Sequence, residues 1–157
     1  MSAEETKAVE LNARLQSMAE FRYQLRKFVN FSEMACERLG VGVQQYQLMQ
    51  VIASMPEGKE ASISMLAERM VLRHNSTVEL VDRAERAGLV RREIDARDMR
   101  RSLVKMTAEG DAILQNLIAE HLRELPARVE DLIEALEDLR GALAATAAAE
   151  APNEVGA

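Results

Sequence analysis

The sequence predicts a mainly α-helical protein with one small β-hairpin, and three observations carry that reading. Ile63, Leu66, Ala67 and Met70, then Val78, Val81 and the run 84–89, fall at helical spacing on either side of a short link, residues 71–75. Two β-prone runs, 89–94 and 102–106, follow Gly88 and can pair as a hairpin around the arginine-rich stretch 95–101. Apolar stripes at helical spacing lie before and after this block, in a chain where Leu, Ala and Met dominate and only 3% of residues are aromatic. With 157 residues, 48% of them hydrophobic, one domain over 1–157 can bury a sizeable core.

Residues 1–7 are polar and are expected to fray. A helix over 8–38 follows, because Leu11, Leu15, Met18, Leu25, Val29, Ser32, Cys36 and Leu39 alternate spacings of three and four, broken only at Arg22. The central block is too small to cover such a stripe, so part of it is expected to pack on another subunit. Gly40-Val41-Gly42 breaks the helix, and a second one over 43–55 offers Tyr46, Met49, Val51 and Ile52 to the core. Gly42 is an acceptable N-cap that makes no side-chain bond, and residues 56–59 form a turn.

A link as short as 71–75 forces its two helices to pack at a steep angle, the helix-turn-helix arrangement whose second helix can enter a DNA major groove. Arg73, His74, Asn75, Ser76 and Thr77 put hydrogen-bonding groups at the start of that second helix. Ser76 and Glu79 fit a capping box, and Gly88 ends the helix. The hairpin loop, with Arg97, Arg100 and Arg101 at its tip, is a wing. Beyond it Thr107 caps a helix carrying Ile113, Leu114, Leu117, Ile118, Leu122 and Leu125, which Pro126 is expected to interrupt. Another helix then carries Val129, Leu132, Ile133, Leu136, Leu139 and Leu143, and residues 146–157, without a stripe, are expected to be disordered.

The segments AERM, LVDRAERAGLVRR, D-x-R-D-x-R-R and M-T-x-x-G, in that order over about 45 residues, resemble the multiple-antibiotic-resistance-regulator (MarR) family of winged helix-turn-helix transcription factors. The resemblance implies a winged helix over 43–107 flanked by dimerising helices at 8–39 and 108–145. It also implies that Asp98 orients Arg100 into a minor groove, with Arg91, Arg97 and Arg101 on the same wing. The recognition helix would then present Arg73, His74, Asn75, Ser76, Thr77 and Glu79. Gly42 and Val43 stand where the family usually has Thr-Pro, and Met99 where it often has another Arg. A pocket for a small aromatic or apolar effector would be lined by Phe28, Phe31, Met34, Tyr46 and Met49, which serve equally well as core residues.

The net charge of −6 is unevenly spread. Residues 73–105 hold nine Lys or Arg against six Asp or Glu, whereas 106–157 hold three against eleven. The positive charge therefore sits in the DNA-facing segment, and the acidic remainder disfavours sequence-independent binding. One cysteine allows no internal disulfide and fits a reducing cytoplasm. Without a membrane-length apolar run or a basic-then-apolar start, neither a membrane span nor a secretory leader is expected, and the two histidines with that cysteine supply no metal-ligand spacing. No nucleophile or phosphate loop stands in a catalytic setting, so neither an enzyme nor a cofactor is expected. His74 reads as a groove or phosphate contact and His121 as a partly buried helix residue. Cys36 lies on the apolar stripe near a helix C-terminus, where the dipole disfavours a thiolate. The expected function is a ligand-responsive repressor acting as a homodimer on a pseudo-palindromic double-stranded DNA operator. The alternatives are a redox sensor using Cys36 and a winged-helix module that binds protein.

Overall fold

In the computed structural model, which describes residues 2–56, 58–99 and 101–150, the element order is α1 (Ala3–Arg38), α2 (Val43–Ala53), α3 (Ile63–Met70), α4 (His74–Arg86), β1 (Val90–Ile94), β2 (Ser102–Met106) and α5 (Ala108–Glu150). The start of α1 corrects the expected fraying over 1–7. Ser2 Oγ accepts from the Glu5 N–H at 3.2 Å while the Ser2 N–H donates to Glu5 Oε2 at 2.6 Å. That reciprocal box satisfies two otherwise orphaned donors, so the helix begins at Ala3.

Pro126 does not divide the C-terminal segment either. It lies inside one 43-residue helix, α5. A helix-interior proline costs about 3 kcal/mol, but the flanking Leu, Ala, Glu and Arg are strong helix formers whose summed preference offsets one lost bond. The same preference carries α5 through the alanines to Glu150, five residues into the tail expected to be disordered; 151–157 lie outside the described residues.

Two compact units divide the chain, one made of 1–31 with 123–157 and the other of 32–122. Within the first, α1 and α5 meet at residues 27–31 and 128–131. Arg128 lies over the Phe31 ring at 4.7 Å, Lys27 pairs with Asp131 at 3.3 Å, and Ala135 is buried. Much apolar surface on these helices stays uncovered: Leu11 is 65% exposed, Leu15 62%, Leu136 51% and Leu143 58%.

The second unit has a single apolar core. Cys36, Tyr46, Leu48, Met49, Leu66, Leu80, Val81, Val104 and Leu117 are buried together in it. Gly42 starts α2 without a side-chain cap, and its N–H donates to Gln45 Oε1 at 2.9 Å. Ser62 caps α3 by accepting from the Met65 N–H at 3.3 Å. β1 and β2 pair antiparallel with Val90 opposite Met106 and Ile94 opposite Ser102, and the Val104 N–H donates to Ala61 C=O at 2.9 Å. The hairpin is thereby tied to the segment just before α3. Thr107 Oγ1 donates to the Gly88 carbonyl at 2.6 Å and accepts from the Gly110 N–H at 3.0 Å. A Cβ at Gly110 would stand 2.0 Å from the Leu89 carbonyl oxygen, so the M-T-x-x-G motif needs its glycine to let α5 start against the end of the α4–β1 turn.

Candidate nucleic-acid interface

The turn between α3 and α4 is tighter than the spacing predicts. Val71 sits in the left-handed region with φ 54°, and the Leu72 N–H reaches back to the Ala67 carbonyl at 2.9 Å. A β-branched residue in that conformation costs about 1–2 kcal/mol, and the closely packed α3 and α4 hold it there. The consequence is that α4 begins at His74, with Arg73 in the N-cap position and no side-chain cap.

That start corrects two expectations. Ser76 and Glu79 lie inside the helix, so no capping box forms between them. Thr77 is fully buried and its hydroxyl donates to the Arg73 carbonyl at 3.1 Å, which removes it from the proposed contact set. The exposed face of α4 comprises Arg73, His74, Asn75, Ser76 and Glu79, continued by Arg83 and Arg86. Leu80, Val81 and Ala84 fill the opposite, buried face. Arg83 and Arg86 continue the stripe of Ser76 and Glu79 at spacings of three and four, a signal present in the sequence that the focus on the helix start passed over.

Arg92 fixes α4 to the hairpin. Its N–H donates to Glu85 Oε1 and its guanidinium to Glu85 Oε2, both at 2.8 Å, and the guanidinium also pairs with Asp82 at 2.6 Å. On the same hairpin Glu93 is held between Arg91 at 2.5 Å and Lys105 at 2.7 Å. The Lys105 hydrogen bond, supported by the Arg91 charge, holds the Glu93 carboxyl below the usual carboxylate range. Arg91 therefore has an intramolecular partner, while its side chain stays 57% exposed.

Arg97, Asp98 and Arg101 are exposed on the wing, and Arg100 lies outside the described residues. The carboxylate that organises the described part of the loop is Asp95, which sequence reasoning did not single out. It is buried, accepts from the Arg97 N–H at 2.8 Å and stands 3.7 Å from the Arg101 guanidinium.

The five residues assigned to a pocket are not alike. Tyr46 and Met49 are buried in the core of the second unit, where Met34 is 52% exposed. In the first unit Phe31 is buried against Arg128 and Phe28 is half-buried. His121 is buried rather than partly exposed: its Nδ1–H donates to the Leu117 carbonyl at 2.7 Å, Nε2 meets Ser32 Oγ at 3.0 Å, and its ring lies 5.0 Å from that of Tyr46. Cys36 is fully buried, and its thiol is pushed up to about 11 by burial and then by the Glu120 charge. Among the described residues no His, Cys, Asp or Glu cluster is placed to hold a metal ion, and no helix is long and apolar enough to cross a membrane.

Helices α3 and α4, joined by a tight turn and followed by the β1–β2 hairpin, define a winged helix-turn-helix. Residues 39–101 match the model of the MarR family. The transcriptional regulator HosA of Escherichia coli O157:H7 is 43% identical over 70 residues, covering 45% of this chain and 50% of HosA. The chain thus spans about half the length of the curated relatives it matches. AbsC, a MarR family transcriptional regulator from Streptomyces coelicolor, superposes with a TM-score of 0.61 at 22% identity over 94% of each chain. The M. tuberculosis transcriptional regulator MOSR, solved in complex with DNA, superposes with a TM-score of 0.58 at 25% identity, covering 81% of this chain and 93% of its own.

Proposed function

We propose that this protein is a sequence-specific DNA-binding transcriptional regulator that acts as a homodimer on a pseudo-palindromic operator, and that it is a repressor released by a small aromatic or apolar effector. The observation that carries the reading is the joint exposure of His74, Asn75, Ser76 and Glu79 on the first turns of α4 and of Arg97 and Arg101 on the wing. Hydrogen-bonding groups on a recognition helix read base edges, and arginines on a wing meet phosphates or a narrow minor groove. The DNA complex of the similar MOSR supports a duplex as partner.

Residues 43–107 are the DNA-binding segment in this reading, and 8–39 with 108–145 pair two chains. Support for pairing comes from the uncovered apolar side chains of the first unit, including Leu11, Leu15, Met18 and Val29 on α1 and Ile133, Leu136 and Leu143 on α5. Contiguous exposed apolar surface of this kind marks an interaction site. A two-fold dimer places its recognition helices in successive major grooves, about 34 Å apart. An effector releases the operator by binding more tightly to a dimer in which that spacing no longer matches.

Selection of duplexes from a random pool, with the mass of the protein measured in solution, tests the proposal. The expected result is an inverted repeat with half-site centres about 10 base pairs apart, bound by a species of twice the 17.5 kDa chain. A monomer, or a pool that never converges on a sequence, contradicts it.

A further inference from the structure

We infer that Met99 is a specificity-determining residue of the wing, an apolar wedge that enters the minor groove and bears on a base-pair step; this rests on the DNA-binding reading above. The backbone places it at the apex of the loop. The Asp95 N–H donates to the Arg101 carbonyl at 3.0 Å, which closes the foot of the loop, and the Arg101 N–H donates to the Asp98 carbonyl at 2.8 Å. That second bond closes a four-residue turn over 98–101, of which Met99 is the first central residue. Its side chain is 82% exposed, and Arg97 and Arg101 on either side of it in the loop are exposed as well. Charge draws such a tip to the phosphates. A thioether, however, is at best a weak hydrogen-bond acceptor, so it neither pairs with a phosphate nor reads a donor–acceptor pattern. What methionine offers is polarisable apolar surface on three rotatable bonds. In a minor groove that surface leaves water between the sugar walls, against the stacked pairs. Apolar side chains placed there part a base step and bend the duplex toward the major groove. The cost depends on sequence, because the pyrimidine–purine steps TA and CA/TG part most readily. Met99 thus turns the deformability of the duplex into a base preference where no hydrogen bond is read, while the neighbouring arginines hold the tip in place.

The test is selection of duplexes from a random pool by the full-length wild type, Met99→Leu and Met99→Gln, followed by binding to a wild-type duplex carrying 2-aminopurine at the step in question. Leucine keeps the apolar wedge, whereas glutamine keeps the length and makes the tip polar. Ile94→Gln is the control: Ile94 is also exposed, at 70%, but stands at the foot of the hairpin opposite Ser102. We expect the wild type and Met99→Leu to select a TA or CA/TG step flanking each half-site, and their binding to raise the 2-aminopurine fluorescence as the step unstacks. Met99→Gln should lose the flanking preference and the fluorescence rise, and bind the wild-type duplex about tenfold more weakly. The bases selected inside each half-site, the slope of log affinity against log salt and the unfolding temperature should not change, since no charge and no buried contact is lost. Ile94→Gln should behave as the wild type. An unchanged flanking preference in Met99→Gln, a loss shared by Met99→Leu, or an equal loss in Ile94→Gln would overturn the wedge while leaving the DNA-binding reading intact. A wild-type protein that binds no duplex defeats that reading and this inference with it.

Discussion

Arg92 and Glu85 are joined twice, backbone N–H to Oε1 and guanidinium to Oε2, each at 2.8 Å, so the second half of the recognition helix and the first strand of the wing move as one piece. Asp82 closes the other side of the guanidinium at 2.6 Å. Asp82 and Glu85 are partly exposed, which limits the strength of the pairing. Arg92→Ala is expected to lower stability by about 1–2 kcal/mol, read as a shift of the urea midpoint at constant slope. Arg92→Lys should recover little of it, because an ammonium cannot make the planar, forked contact. Full recovery by lysine would mean that simple charge, and not the fork, holds the wing to the helix.

Glu79 is exposed on the second turn of α4, and with the helix starting at His74 it has no capping role. On the proposed DNA-binding reading, a carboxylate at this place is suited to accept from a cytosine amino group in the major groove. Glu79→Gln should therefore relax the preferred base at one position of each half-site. Thr77→Val, at a buried site, should leave the base preference unchanged. A binding preference insensitive to Glu79 but altered by Thr77 would reverse the assignment of the helix's two faces.

Cys36 is buried, and its thiol is raised from 9.0 to about 11. The folded state therefore holds the thiol proton more tightly than the unfolded state does. Stability from this site is fully present below the unfolded value and is lost as pH rises from about 9 towards 11. Cys36→Ala should lack that component of the alkaline decline while a Tyr46 contribution, raised in the same direction by burial and then by Cys36, persists in weakened form. Peroxide at neutral pH should leave the wild-type DNA complex intact, since little thiolate is available. Release by peroxide that disappears in Cys36→Ser would make this cysteine a redox sensor.

Two glycines of α5 should respond to alanine in opposite directions. At Gly110 the added methyl meets the Leu89 carbonyl oxygen at 2.0 Å, and the start of α5 must shift. At Gly141 nothing lies within 4 Å. Gly110→Ala is expected to cost about 1–3 kcal/mol and Gly141→Ala to add up to about 1 kcal/mol through helix propensity, both measurable by denaturant unfolding. A stabilising Gly110→Ala would refute the close approach of α5 to the α4–β1 turn.

The parts of the fold that were legible in the sequence are those where burial and local preference agree. Leu66 and Ala67, then Val81 and Ala84, mark both helices of the helix-turn-helix by periodicity alone, and the strand runs on either side of the arginine loop give the hairpin. The helix starts were harder, because S-x-x-E is a short motif that occurs by chance. Ser2 and Glu5 form a box at an end whose polar residues predict fraying, while Ser76 and Glu79 fit the pattern and form none. Thr77 faces inward for a related reason: the tight Val71 turn starts α4 early and rotates its hydroxyl onto the Arg73 carbonyl. Pro126 taken alone predicts a break, although the helix formers on both sides outweigh it. Asp95 left no signal in periodicity, since its burial depends on how the loop folds back over it.

Duplex DNA is expected to meet the exposed face of α4 and the wing arginines, and the salt dependence of binding tests this most directly. With a duplex selected by the wild type, log affinity should fall linearly with log salt concentration, by about 0.9 per phosphate neutralised. Arg97→Ala combined with Arg101→Ala should make that slope shallower by about 1–2 without changing the oligomeric state, and beyond what any loss of stability from unpairing Asp95 explains. A slope untouched by losing both arginines, or the absence of any salt-dependent duplex binding, would contradict it.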